Sequence, residues 1–224
     1  MPAPLRVSHQ LVLVVTPGWD DVRGELRRYA RISEGDPWKA VGEAASIVVG
    51  KSGTAWDPAL ATTMSGPTKA EGDGRSPAGV FPLGQAFGYA APAEASWLKL
   101  PYLHVTEGME CVDDAASTVY NQIVNRRQAA APDWTSSEKM REVGEAYRWG
   151  VVVNYNTAPA VPRRGSCIFL HIGGEGGKGT VGCTAMAPTQ LRSVMAWLDS
   201  TEKPVLVQLP RGAYEQLKSE WRLP

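Results

Sequence analysis

Glycine and proline, the residues that most often interrupt regular secondary structure, recur along this chain. Its 224 residues include 23 Gly and 17 Pro, and residues 51–87 are especially dense in both. Proline has no backbone N–H to donate to a sheet, and glycine favours turns. This density predicts many short elements joined by turns, which favours strands, and it predicts turns and short edge strands for residues 51–87.

The amino-acid composition argues against several classes of protein, among them nucleic-acid binders, disordered chains and chains with a membrane helix. Lys and Arg together number 23, as do Asp and Glu, so the net charge is zero. Proteins that bind nucleic acid usually carry a basic stripe, so we expect no nucleic-acid partner. A hydrophobic content of 43% against 21% charged residues excludes a disordered chain. No apolar run approaches the roughly 20 residues of a membrane helix, and residues 1–224 are predicted to form one domain without a membrane span.

Apolar runs bounded by turn residues predict strands. The predicted strands cover residues 11–15, 46–50, 151–153, 166–172 and 204–209.

Apolar residues at helical spacing predict helices. Residues 20–32 and 135–150 show this spacing, the second after a capping-box pattern that ends at Glu138. Pro188 suits the first turn of a third helix, and residues 211–221 predict a short closing helix. Because strands outnumber helices and rarely alternate with them, the sequence predicts a mainly β or α+β fold.

One segment, GSCIFLHIGGEGGKGTVGCTAMAP at residues 165–188, carries the chemistry. A predicted strand ends at His171, a glycine-rich loop follows, and Gly182 and Cys183 precede a helix. The loop can bring the thiol beside the imidazole, where its pKa can fall from near 8.5 to about 3.5–7.5. Gly182 would let the backbone approach an acyl oxygen and form an oxyanion hole. The segment predicts nucleophilic acyl transfer.

Other interpretations of these residues remain open. A histidine after an apolar strand is often a hydrogen-bonded core residue, and a lone cysteine is often a buried hydrophobe. Gly174, Gly176 and Gly179 match a dinucleotide-binding spacing, but no helix is predicted to begin at the third glycine. A zinc site from His104, His171 and a cysteine lacks any typical ligand spacing.

The segments FLHI and VGCTAM resemble the active-site region of the L,D-transpeptidase (YkuD-type) catalytic domain family. Four further segments resemble one branch of that family, so that the resemblance spans about residues 45–200. They are EGDGRSPAGVFPLGQAFGY, ECVDDAASTVYNQIV, DWTSSEKMR and YRWGVVVNYN.

The resemblance implies a β-sandwich-like catalytic domain with a few peripheral helices. It implies that Cys183 is the nucleophile, that His171 is its base, and that Thr180 orients the histidine through its backbone carbonyl. With Gly182 and Thr184, Thr180 makes up the expected oxyanion and orienting set. No metal or organic cofactor is needed for this chemistry.

The chain departs from the family pattern in places. Many members have Ser-His-Gly-Cys, then an apolar residue and Arg, where this chain has Thr-Val-Gly-Cys-Thr-Ala at residues 180–185. The second histidine and the arginine are missing, and the spacing from histidine to cysteine is shorter. The candidates to replace the arginine are Lys69, Arg75, Arg148, Arg163 and Lys178.

The implied reaction is cross-linking of bacterial peptidoglycan stem peptides, as donor and acceptor, through a Cys183 thioester. The alternatives are an L,D-carboxypeptidase that hydrolyses this thioester, and an inactive cell-wall-binding module. Residues 11–15 are too short for a signal-peptide core, so the chain is cytosolic or its export signal lies outside this sequence. The resemblance favours the second, with a monomer in the periplasm or exported.

Three cysteines leave one odd thiol in an exported protein. If Cys183 is the nucleophile it must be free, and Cys111 and Cys167 are the remaining pair for a disulfide; the alternative is two buried free thiols. Asp113 and Asp114 are expected to stabilise a turn. Two aromatic residues, Tyr89 and Trp149, could line a groove but are more typical of a core.

Overall fold

The computed structural model describes residues 1–61 and 64–224, and strands dominate it. The strands are β1 Gln10–Thr16, β2 Arg23–Ala30, β3 Lys39–Val48, β4 Thr54–Trp56, β5 Ser76–Gly88, β6 Tyr102–His104, β7 Met109–Val112, β8 Ile123–Asn125, β9 Ser137–Lys139, β10 Trp149–Val153, β11 Phe169–Ile172, β12 Thr184–Met186 and β13 Val205–Pro210. The helices are α1 Ala3–Val7, α2 Pro58–Ala61, α3 Pro188–Trp197 and α4 Arg211–Trp221. Within the described ranges, no helix is both long and apolar enough to cross a membrane.

Eight of the strands form a ring. The hydrogen-bonded order is β10-β11-β12-β3-β2-β1-β13-β5, and β5 pairs with β10 again, so the sheet closes on itself. β4 and β6 pair with β5 outside the ring, and β8, β7 and β9 form a separate small sheet. The predicted mainly β fold with few helices is confirmed. The connectivity is a closed ring, whereas the resemblance implied a sandwich-like arrangement.

The strand β1 is buried on both faces, which explains its continuous apolar run. Val12 and Val14 belong to one hydrophobic cluster together with α3, and Leu11 and Leu13 belong to a second together with α4. The two amphipathic helices therefore cover opposite faces of the same strand.

A third hydrophobic cluster lies between the ring and the small sheet. It contains Phe87, Tyr147 and Phe169, with ring centroids 5.0–5.6 Å apart, and it also contains Cys183. A disulfide bond between Cys111 of β7 and Cys167, just before β11, joins the two sheets here. The predicted cysteine pairing is confirmed.

The most apolar predicted elements are present in the structure. The strands predicted at 11–15 and 151–153 are contained in β1 and β10, and the strand predicted at 204–209 matches β13 except for its first residue, Pro204. The helices predicted from Pro188 and at 211–221 are α3 and α4. Two strands are displaced from their predicted bounds. The strand predicted at 46–50 is the end of the longer β3, and the one predicted at 166–172 begins only at Phe169.

The helix predicted over 20–32 is wrong, because this segment is β2. Leu26 is buried while Arg23, Glu25 and Arg27 are exposed, and both edges of the strand pair with neighbours. Apolar residues three and four positions apart gave the segment a helical spacing. Its backbone N–H and C=O groups instead form hydrogen bonds with β1 and β3.

The helix predicted over 135–150 is also wrong. The segment contains β9 and a short 3-10 helix, Gly144–Tyr147, and Gly144 has a φ of +76°. Glu138 does not cap a helix; its carboxylate accepts a hydrogen bond from the Tyr147 hydroxyl.

The prediction of only short edge strands in residues 51–87 is wrong for β5, a strand of 13 residues within the ring. Its partner changes along its length, from β4 to β13 and then to β10. Pro82 lies where the pairing with β13 ends and that with β10 begins, so its missing N–H falls at a change of partner.

Candidate functional site

Two adjacent parallel strands place His171 and Cys183 on one face of the sheet. His171 of β11 is opposite Ala185 of β12, and Cys183 lies two residues before Ala185. Because side chains alternate along a strand, residues 183 and 185 project to the side that His171 occupies. The predicted pairing of thiol and imidazole therefore has a direct basis in the sheet register.

Both side chains line one pocket of ≈470 Å³. Its walls come from β9, the 3-10 helix Gly144–Tyr147, β11 and the glycine-rich loop that leads to Cys183. The lining residues are Glu138, Val143, Ala146, Tyr147, His171, Ile172, Gly173, Gly174, Lys178, Gly179, Thr180, Val181, Cys183 and Ala185.

Backbone groups of the preceding strand hold the Cys183 thiol, which is 2% exposed. Sγ accepts a hydrogen bond from the Phe169 N–H at 3.3 Å and donates to the Cys167 carbonyl oxygen at 3.3 Å. Cys167 itself has a φ of +55°, and its N–H donates to the Asn121 side chain at 2.8 Å. The disulfide-bonded residue thus presents its carbonyl to the Cys183 thiol.

Two hydroxyl groups fix the backbone of Cys183. Its carbonyl oxygen accepts hydrogen bonds from Thr180 Oγ1 at 2.6 Å and from Ser76 Oγ at 2.9 Å. The Ser76 hydroxyl also accepts the Gly50 N–H, which connects the Cys183 backbone to the segment just after β3. The sequence did not predict a role for Ser76, because nothing in the residues around it indicates that its hydroxyl bonds the Cys183 carbonyl.

In the structure Thr180, Gly182 and Thr184 make bonds other than those expected of an orienting set. The Thr180 carbonyl accepts the Lys51 N–H at 2.7 Å, and the His171 imidazole bonds the Ile172 carbonyl instead. The Gly182 N–H donates to Thr180 Oγ1 at 3.1 Å and is therefore occupied rather than aimed at a substrate oxygen. The buried Thr184 hydroxyl donates to Gln208 on the other face of β12. These residues shape the turn that carries Cys183.

The His171 imidazole is oriented by its own strand. Its Nδ1 lies 2.8 Å from the Ile172 carbonyl oxygen. Because a carbonyl only accepts, Nδ1 carries the proton and Nε2 keeps a lone pair for a base. The Tyr147 ring packs against the imidazole edge-on, with centroids 5.3 Å apart.

Burial keeps both partners neutral at rest. It raises the pKa of the Cys183 thiol well above its usual range, and the Glu138 charge raises it further. Burial also lowers the pKa of His171, although the bond to the Ile172 carbonyl opposes this shift. The resting pair is therefore a thiol and a neutral imidazole, not the thiolate–imidazolium pair expected from the sequence.

Glu138 and Tyr147 are ionisable pocket residues that the sequence did not predict. Both line the pocket, and burial raises the pKa of Glu138 to about 7. A hydrogen bond with the Tyr147 hydroxyl lowers the pKa of Cys183, against the dominant effect of burial. The capping-box pattern and the helical spacing hid both residues, and no signal in the sequence separated them from an ordinary amphipathic helix.

Among the basic residues considered, Lys178 lines the Cys183 pocket. Lys69 is buried and bonds Asp73 at 2.7 Å, and Arg75 is bonded to two carbonyls and to an aspartate. Arg148 pairs with Glu145 at the surface, and Arg163 does not line this pocket.

The glycines between β11 and β12 are explained by the backbone conformation of the loop. Gly174 and Gly176 have φ of +88° and +71°, a region that favours glycine. No helix begins at Gly179. The glycines of the dinucleotide-like spacing thus serve the turn between β11 and β12.

The remaining candidates lie outside the pocket. Asp114 accepts hydrogen bonds from Ala116 and Thr135, which confirms its role in a turn. Tyr89 bonds two carbonyls, and Trp149 packs with other aromatic rings. His104 lies in β6, away from the Cys183 pocket. In the described part of the chain, no three His, Cys, Asp or Glu side chains could hold a metal ion together.

Comparison of the chain with protein-family models, with curated proteins and with solved structures gave no match.

Proposed function

We propose that this protein is an L,D-transpeptidase-type cysteine acyltransferase that acts on peptidoglycan stem peptides in the bacterial cell envelope. The observation that carries the proposal is that Cys183 and His171 line one pocket from adjacent strands. The resemblance supplies the substrate class, and the closed sheet is proposed to be that family's catalytic domain.

The first half-reaction forms a thioester. The donor carbonyl, beside an L-configured centre, meets Cys183 Sγ, and the thiol proton passes to His171 Nε2 as the carbon–sulfur bond forms. Because both groups are neutral at rest, proton transfer accompanies attack rather than preceding it. Collapse of the tetrahedral intermediate breaks the amide bond, and the imidazolium gives its proton to the departing D-amino acid.

The second half-reaction transfers the acyl group to an amine. His171 now takes a proton from the incoming amine of a neighbouring stem, and the amide bond replaces the thioester. A second pocket, of ≈590 Å³, shares Gly173 and Gly174 with the first and contains the exposed Arg23. Two pockets that share Gly173 and Gly174 as lining residues suit a reaction that binds a donor stem peptide and an acceptor stem peptide separately.

Lys178 is the residue that we assign to the missing family arginine. It is exposed at the Cys183 pocket, where an ammonium group can pair with a carboxylate of the donor stem. A stem peptide that ends in a D-amino acid offers such a carboxylate.

The test is mass spectrometry of purified disaccharide-peptides incubated with the protein, with Cys183→Ala as the matched control. A cross-linked dimer and loss of a D-amino acid, both absent with the control, are the expected products. If the only product at high acceptor concentration is a shortened monomer, the protein would be assigned as a carboxypeptidase rather than a transferase. Failure to process any peptide, with no acyl adduct on intact protein, would favour the wall-binding module.

A further inference from the structure

Two pocket residues have no part in the mechanism above. Glu138 lies in β9, and Tyr147 ends the 3-10 helix Gly144–Tyr147. Tyr147 is 4% exposed, and both side chains line the pocket that holds Cys183 and His171. A carboxyl group and a phenol beside a buried nucleophile need a chemical explanation.

Tyr147 contacts Glu138 directly and shares a buried cluster with Cys183. The Tyr147 hydroxyl donates a hydrogen bond to Glu138 Oε2 at 2.5 Å. The same side chain packs with Cys183 in one buried cluster, and the Tyr147 hydroxyl lowers the pKa of the Cys183 thiol against the dominant effect of burial. Its ring packs against His171, which fixes the position of the hydroxyl relative to both reacting groups. The phenol is thus bonded to the carboxylate and is a neighbour of the thiol in the same pocket.

We propose that Tyr147 and Glu138 form a second proton-accepting route for Cys183, separate from His171. The S–H group turns from the Cys167 carbonyl to the Tyr147 oxygen. The S–H bond then breaks and its proton passes to that oxygen, while the phenol proton passes to Glu138 Oε2. The products are a thiolate, an intact phenol and a neutral carboxylic acid, and no electrons are transferred. The inference rests on the proposed function in that it takes Cys183 as the nucleophile.

The charge balance favours this route in a buried site. Transfer from Cys183 to Glu138 moves one negative charge from carboxylate to sulfur and creates no new ion. Transfer to His171 converts two neutral groups into an anion and a cation, both of which must be desolvated. The thiolate formed by either route keeps the Phe169 N–H as a hydrogen-bond donor.

The proton affinity of Glu138 suits the role. Burial, against the opposing bond from Tyr147 and with smaller contributions from the charges of Asp113 and Glu71, raises the pKa of Glu138 to about 7. The ionisable groups that act on Glu138 or Cys183, or line their pocket, are Asp113, Glu71, Lys69, Tyr147, His171 and Lys178.

The experiment measures the rate at which iodoacetamide alkylates Cys183 in the folded, unreduced protein from pH 5 to 9. In wild type we expect the rate to rise to a plateau with a midpoint near pH 7, when Glu138 becomes able to accept the proton. A route through His171 alone would place that midpoint below the usual imidazole range, because burial lowers the pKa of His171.

The variants Glu138→Gln and Tyr147→Phe are each expected to lose the step near pH 7 and to react roughly 10²-fold more slowly at pH 8. His171→Asn should keep the step. Glu145→Gln is the matched control, since Glu145 is exposed two residues from Tyr147 and pairs with Arg148.

Three results would overturn the proposal: no step near pH 7 in wild type, an unchanged step in Glu138→Gln, or a step lost only in His171→Asn. The pH profile of alkylation in wild type tests the proposal by itself, even if both pocket variants fail to fold. Alkylation needs no peptide substrate. A Glu138-dependent step in a protein that processes no stem peptide would therefore reject the proposed function and keep this inference.

Discussion

The thiol of Cys183 donates a hydrogen bond to the carbonyl oxygen of Cys167, 3.3 Å away. Cys167 is in turn disulfide-bonded to Cys111 of the small sheet. One covalent bond and one hydrogen bond therefore connect the small sheet to the nucleophile. The disulfide fixes the backbone segment against which the thiol rests.

Removal of this disulfide should weaken both the fold and the site. The cysteines are 56 positions apart, and on the chain-entropy model the bond contributes about 4 kcal/mol. We expect Cys111→Ala/Cys167→Ala to lower the free energy of unfolding in urea by up to that amount and to reduce turnover. Cys183→Ala, which keeps the bond, is the control for the unfolding measurement, and wild type is the reference for turnover.

Thiol counting gives an independent check of the pairing. Denatured, unreduced protein should contain one reactive thiol per chain, which maps to Cys183. Three reactive thiols would show that the bond does not form in the protein, and would also weaken the assignment to an oxidising compartment.

Substitution of the catalytic pair should separate chemistry from folding. Cys183→Ala should remain folded and release no D-amino acid from a stem peptide. His171→Ala should lose roughly 10²–10⁴-fold in kcat, the usual contribution of a general base. If purified Cys183→Ala releases product at the native rate, the nucleophile has been wrongly assigned.

The sequence predicted those elements whose burial pattern is unambiguous. β1 is buried on both faces, and α3 and α4 each have one apolar face, so pattern and structure coincide. In β2 the apolar residues are few, and pairing with distant strands decided the conformation. Local spacing carries no information about such partners.

The pocket residues likewise fall into those that the sequence predicted and those that it did not. Cys183 and His171 were predictable because a thiol and an imidazole flank one glycine-rich loop in the sequence. Glu138 and Tyr147 reach the pocket through the small sheet and a 3-10 turn, and their proximity to Cys183 depends on tertiary packing. Thr180 was predicted as a site residue, but its bonds to Lys51 and to the Cys183 carbonyl emerge only from the fold.

Lys178 should affect substrate binding more than chemistry. It is exposed at the pocket, and an exposed ion pair contributes at most about 1 kcal/mol, so Lys178→Gln should raise KM by roughly fivefold with little change in kcat. Arg163→Gln, which removes a charge outside this pocket, should leave both constants unchanged. A fall in kcat without a rise in KM would contradict the proposed carboxylate contact.

Glu138 should make the stability of the protein depend on pH. Its pKa is raised from 4.5 to about 7 in the folded state, so the folded protein binds more protons than the unfolded chain between these values. The stabilisation by the protonated carboxyl is complete below about pH 4.5 and is lost as the pH rises through 7. Above pH 7 the ionised, buried carboxylate costs about 3 kcal/mol relative to the acidic limit.

Glu138→Gln removes this titration while preserving the size of the side chain. The difference in unfolding free energy between the variant and wild type should therefore shift in favour of the variant by about 3 kcal/mol from pH 4.5 to pH 8. Urea unfolding at several pH values measures it, and the subtraction cancels the contribution of His171, which both proteins retain. A difference independent of pH would mean that Glu138 titrates in the folded protein as it does in the unfolded chain, and the carboxyl would then lack the proton affinity that the route from Cys183 through Tyr147 requires.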